Sequence, residues 1–225
     1  AVSDRMDGAT QYAALDNRFT AQPTGNVKAY RQETVARLSN SAVNAQGAAT
    51  VTASDKITAS NIAGGAQLSG AASVGAAAAF TFSNAHVFAD IIGGSLTANS
   101  LTLTGTSGAL DSSKDAIVTR AYNGAVGMGA GVGAAVAVAA MNNEVSSVLG
   151  GTLNLAGALQ ATLGDDLKVA ADGVGAAFGA VGAGIVLAVA DRHSTVNLKV
   201  QDNASLSAQT VKLSSTGKGR VSATG

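Results

Sequence analysis

Three apolar runs built almost wholly from Ala, Gly and Val recur along the chain: VGAAAAF at 74–80, VGAAVAV at 132–138 and VGAGIVL at 181–187. Their starts lie 58 and 49 residues apart, and each is followed by Asn or Asp (Asn84, Asn142, Asp191) and then by Val (Val87, Val145, Val196). Repetition at this period marks units that bury their apolar faces against one another in a stack. Downstream of the runs, apolar residues alternate with polar ones. Leu96-x-Ala98 and Leu101-x-Leu103 are matched by Leu206-x-Ala208 and Val211-x-Leu213. An earlier copy reads Val43-x-Ala45, Val51-x-Ala53 and Ile57-x-Ala59. Period two is the spacing of strands with one face in and one face out. The short polar links Ser54-Asp55-Lys56, Asn99-Ser100 and Gln209-Thr210 read as corners too brief for helices. An all-β chain wound as a parallel β-helix is the expected fold. Its units are 27–73, 74–131, 132–180 and 181–225, and at about 20 residues per coil each unit reads as two to three coils. Asn84, Asn142 and Asp191 are expected at corners, where Asn84 and Asn142 either stack as amides or tolerate a left-handed turn.

Composition sets the thickness of such a coil. The 225 residues include 48 Ala and 28 Gly, with no Trp and 4% aromatic residues. Side chains this small cannot fill a thick core at native density, whereas opposite walls of a flattened coil leave room for little more than methyl groups. A β-helix with a thin Ala/Gly-rich interior follows. The rival is a membrane span, because Ala125 to Met141 and Gly173 to Ala190 run 17 and 18 residues without charge, near the lower limit for spanning helices. Against it, Gly127, Gly129, Gly131 and Gly133 recur at strand spacing, and each interior Gly costs a helix about 0.5–1 kcal/mol relative to Ala. No Lys/Arg cluster flanks either run.

The first forty residues differ, with nine charged residues and the only Pro, Pro23. Tyr12, Leu15 and Phe19 would share one face of a short helix starting near Asp7 or Thr10. Residues 1–26 thus read as a cap over the end of the stack or as a peripheral linker. The opening Ala1-Val2-Ser3-Asp4 reads as a mature or excised piece of something longer.

Residues suited to chemistry are few. Fourteen basic and fourteen acidic residues give zero net charge, so nucleic acid is not an expected partner. Without Cys there is no thiolate site or Cys nucleophile. The two histidines, His86 and His193, occupy equivalent places after the runs, with Asp90 and Asp191 as the only nearby ligands. Surface histidines explain them more simply than a metal does. Asp165-Asp166 would face opposite ways on a strand, which spoils an acid/base pair and favours a turn. No G-x-S-x-G elbow or G-G-x-G-x-D repeat occurs, and Gly93-Gly94-Ser95 and Gly150-Gly151-Thr152 are corner glycines without a phosphate-loop Lys. No catalytic residue, metal ligand or cofactor site is assigned.

The three runs, each with its Asn/Asp position and alternating V-x-A or L-x-L strands, resemble the repeats of very large bacterial surface adhesins. These are the leukotoxin-type and filamentous-haemagglutinin-like exoproteins, and the resemblance covers roughly residues 30–223. It implies an exported, non-enzymatic β-helix, extracellular or on the bacterial cell surface, acting as a rod or fibre in adhesion, aggregation or biofilm formation. It also implies neighbouring repeats or identical subunits stacked end to end, with a host, bacterial-surface or glycan receptor. The amino-terminal secretion domain of such families is not recognisable. The rival classes are a membrane-inserting or pore-forming protein and a polysaccharide-binding or polysaccharide-cleaving β-helix.

Overall fold

The computed structural model describes the backbone of residues 4–11, 19–109 and 113–225, with side chains from residue 25 onward. Fifteen strands and no helix make up the described residues. They wind as a parallel β-helix of four coils. The first coil holds β2 (Phe19–Ser39), β3 (Ala42–Asn44), β4 (Ala48–Ile57) and β5 (Ala59–Ser69). The second holds β6 (Ala72–Ile92), β7 (Ser95–Ala98), β8 (Ser100–Ala109) and β9 (Ile117–Gly127). In the third, β10 (Ala130–Leu149) and β11 (Thr152–Leu155) lead into one long β12 (Ala158–Phe178). The fourth is β13 (Val181–Val200), β14 (Ser205–Ser207) and β15 (Thr210–Thr224).

Three walls result. Wall A stacks β2-β6-β10-β13, the short wall B stacks β3-β7-β11-β14, and wall C stacks β4 and β5, β8 and β9, β12, then β15. All these pairings are parallel and in register; for example Val136 faces Ala78 on one side and Leu187 on the other. The single antiparallel strand is β1 (Asp4–Gln11), which lies along Thr24–Arg31 of β2.

Each repeat therefore makes one coil, where the sequence spacing had pointed to two or three. The physical reason is the length of wall A. The apolar run and the segment beyond its Asn/Asp form a single strand of 20 or 21 residues, about 65 Å at 3.3 Å per residue. Asn84, Asn142 and Asp191 lie inside these strands and turn no corner. The register also replaces the 49-residue spacing of the last two runs by 51, with Asn142 beside His193 and Val145 beside Val196. The wide-side corners form where φ is positive, at Asn40 (47°), Gly93 (67°), Gly94 (72°) and Gly151 (77°). A Cβ on Gly94 would lie 2.2 Å from the carbonyl oxygen of Ser41 in the coil below, so that corner needs Gly twice over, for its φ and for its neighbour.

The expected N-terminal helix is not formed where it can be judged. Asp7 and Thr10 lie in β1 and Phe19 opens β2, their backbones being drawn into strand pairing. Tyr12 and Leu15 lie outside the described residues.

In cross-section the coil is a wedge, and its taper follows side-chain size. Near wall B the interior is filled by Leu96, Leu101, Leu103, Leu153, Leu159 and Leu163. Farther along, Ala79, Ala121, Ala135, Ala137, Ala139 and Ala171 take over. At the thin edge walls A and C meet backbone to backbone. A Cβ on Gly133 would come within 2.5 Å of the Ala176 carbonyl oxygen, and one on Gly131 within 2.6 Å of that of Phe178. Along β10 the odd-numbered residues from Gly131 to Leu149 point inward. Val132, Ala134, Val136 and Val138 point out.

Ala137→Leu and Gly133→Ala are expected to destabilise the fold, Ala137→Leu by about 1–3 kcal/mol or more from overpacking. Ala134→Leu, on the outer face, should stay within about 0.5 kcal/mol of the parent. Denaturant unfolding of the three variants checks the parity, and equal tolerance would contradict it.

Candidate functional site

Inward parity places ionisable groups in the core where the Leu-filled and Ala-filled parts meet. Wall C contributes the row Asp55–Ser107–Asp165–Gly217, and wall A the row Gln32–Ala85–Asn143–Ser194. Across the gap Gln32 Nε2 donates to Asp55 Oδ1, and Ser107 Oγ donates to Asn143 Oδ1 at 3.3 Å. Arg192 of β13 donates through Nη2 to Asp165 Oδ2 one coil below and to the Lys218 carbonyl oxygen of its own coil (3.0 Å), while Ser194 Oγ donates to the same Asp165 oxygen. Room for this guanidinium exists because residue 219 is Gly; a Cβ there would lie 2.4 Å from Arg192 Cζ.

Burial pushes both carboxyls above the ordinary carboxylate range. At Asp55 only hydrogen bonds from the Lys56 backbone and Gln32 oppose it. At Asp165, Ser194 and the Arg192 charge oppose it. Asp55 Oδ2 is buried with no hydrogen-bond partner. Asp165 does face away from exposed Asp166, but both lie in the middle of β12, not in a turn. Sequence reasoning placed Asp165 with Asp166 in a turn and passed over Arg192. Their inward parity, in Leu163-x-Asp165-x-Leu167 and Ala190-x-Arg192-x-Ser194, was the available signal.

The outer half of wall A nearest wall B is polar. Asn142 Nδ2 donates to Asn84 Oδ1 at 3.1 Å, so the amide stack exists on a strand face. His86 Nδ1 lies 3.2 Å from Glu144 Oε2, and its ring stacks on Phe88. His193 shares this face but sits beside Asn142, two strands from His86. Asp90 accepts from Arg37 Nε and Nη2 at 3.0 and 2.7 Å and from the Val148 N–H at 3.0 Å, so it is not free for a metal. Among the described residues no three His, Cys, Asp or Glu side chains converge on a cation position.

Two other surfaces stand out. A groove of about 360 Å³ crosses the outer face of wall C, with Gly108 and Gly164 at its floor and Thr106, Thr162, Lys56 and Lys218 among its sides. The thin edge is apolar on both faces and at its tip, where Leu68 and Met128 are 76% and 80% exposed. Among the described residues no helix is long and apolar enough to cross a membrane; the charge-free runs are strands. Comparisons with protein-family models, curated proteins and solved structures found no match.

Because its folded pKa is raised, Asp55 binds a proton more tightly in the folded chain than in the unfolded one. Its burial thus costs stability increasingly as pH rises from about 4 through the folded value. Asp55→Asn, which keeps an acceptor for Gln32, is expected to raise stability at pH 7 and to change it little near pH 4. Asp165→Asn leaves Arg192 as an unneutralised, mostly buried cation and is expected to lower stability at pH 7 by about 3 kcal/mol. Urea unfolding at the two pH values separates these outcomes.

Proposed function

We propose that this chain is a structural segment of an exported bacterial adhesin or extracellular fibre, serving cell adhesion, aggregation or biofilm matrix at the cell surface. The observation that carries the reading is the asymmetry of the stack's last coil. Val211, Leu213 and Val221 of β15 point into the interior yet are 49%, 43% and 47% exposed, whereas their register partners Leu159, Ala161 and Val169 one coil below are at most 1% exposed. Among the described residues, β13, β14 and β15 have no strand on their outer edges. Unpaired edges above an exposed apolar interior recruit a further strand layer. The occupant is another β-coil, from neighbouring repeats or an identical subunit, and a contact of that kind that does not close builds a fibre. A chain with few ionisable groups, ten of them joined in five ion pairs among the described residues, suits a scaffold better than an enzyme.

The wall C groove favours a second reading, glycan binding, since the hydroxyls of Thr106, Thr162 and Thr216, the Asp166 carboxylate and the Lys56 and Lys218 ammonium groups line it. Soluble polysaccharides that raise the unfolding midpoint in a concentration-dependent way would support that reading.

For the principal reading, sedimentation and electron microscopy of the isolated chain are expected to show end-to-end elongation, abolished by Val211→Lys with Leu213→Lys. Bacteria displaying the chain should settle or attach faster than those without it. A particle of one chain at all concentrations, with no gain in attachment, would count against the scaffold.

A further inference from the structure

The apolar part of wall A presents a flat outer face without a single charge. Along β10 it comprises the outward residues from Ala130 to Val138; β13 continues it with Ile185, Leu187 and Val189, and β6 with Val74 and Phe80. Ile185 and Leu187 are 62% and 51% exposed. Ten residues along three strands give about 33 by 14 Å, or roughly 470 Å² on one copy. A contiguous apolar surface of that size is among the largest a monomer typically leaves exposed, and such patches are often functional.

Three occupants compete: hydrocarbon, an unrelated protein, and a second copy. Lipid is disfavoured by the backbone. Inserting the thin edge would carry the outer edges of β5 and β13 into the bilayer, and among the described residues neither edge is paired; open sheet edges are not tolerated in hydrocarbon. A charge-free face offers no electrostatic handle for selecting a charged partner. Its side chains are small to medium and lie in level rows, Ala76 and Ala134 beside Ile185, and Ala78 and Val136 beside Leu187, a surface that a second copy of the same flat sheet fits.

We infer that this face is a self-association surface, on which wall A of a second copy packs against wall A of the first about a two-fold axis. Two such patches bury about 950 Å², below the range of standard specific interfaces and within that of weak, transient ones, which fits a reversible pair. The contact is isologous and closes at two copies, unlike end-to-end stacking. Wall C is the poorer candidate, since its apolar strip on β12 ends after six residues at the Asp172–Arg120 ion pair. The role this assigns, holding fibres side by side, rests on the scaffold reading above; the pairing itself does not.

The test combines sedimentation velocity with vesicle flotation. The chain carrying Val211→Lys and Leu213→Lys, which block elongation, is expected still to form pairs. Adding Ile185→Lys and Leu187→Lys should weaken pairing at least tenfold with an unchanged circular dichroism spectrum and unfolding midpoint, while Phe178→Lys on wall C should leave pairing intact. Failure of elongation in the unaltered chain overturns the scaffold reading alone. Pairing that survives Ile185→Lys with Leu187→Lys, or is lost with Phe178→Lys, overturns the assigned face. So does a chain that never pairs, or one that floats with phosphatidylcholine vesicles in a way Ile185→Lys and Leu187→Lys abolish.

Discussion

Backbone donors and acceptors of every long strand are directed at the coils above and below, and this ladder is the constraint that the rest of the structure obeys. It continues through the corners, where the Ser95 N–H donates to the Ser41 carbonyl, Thr152 to Gly94 and Ser205 to Gly151, all at 2.8–2.9 Å; at Val148 the Asp90 carboxylate takes the place of a backbone acceptor. Because the ladder holds coils in register, a residue type at one position is stacked on its counterparts whatever its side chain. Asn142 on Asn84 and Glu144 beside His86 are consequences of that register rather than its cause. The same ladder explains why the last coil is unsatisfied: its edge groups have the geometry of all the others and no strand beyond them among the described residues.

With spacing along the stack set by the backbone, side chains decide only the separation of the walls. Leu holds walls A and C apart near wall B, Ala brings them closer, and Gly lets them touch at the thin edge. This gradient accounts for a composition that cannot fill a compact core. It also creates the exposed apolar edge, since walls in direct contact have no interior left in which to hide Val, Ile and Phe. Those side chains occupy the outer faces.

The polar row across the interior has the opposite character. Arg192 with Asp165, and Asp55 with Gln32, are held between Leu and Ala regions where a charge is costly. A stack of uniform coils can slip by one repeat, and an ion pair joining two particular coils resists such a slip because any other register strands a charge.

Period-two alternation downstream of the runs pointed to an all-β chain, because pleat parity is a local property of the backbone; which residues of the uniformly apolar runs face inward was not legible and is set by the packing of the walls. Repetition determined that equivalent segments stack, and the scarcity of large side chains determined that the interior is thin. The number of residues per coil was not legible. An Asn or Asp after an apolar run has the composition of a corner, yet Asn84, Asn142 and Asp191 stay in strand because their neighbours in adjacent coils are strands too. Nor was the helix expected around Asp7 and Phe19 decided locally, since pairing between β1 and β2 claims that backbone. Asp165 and Arg192 lie 27 residues apart and meet only because β12 and β13 face each other across the thinning wedge. Such meetings depend on where the coil closes, which is set by contacts between coils and is not written in any one segment.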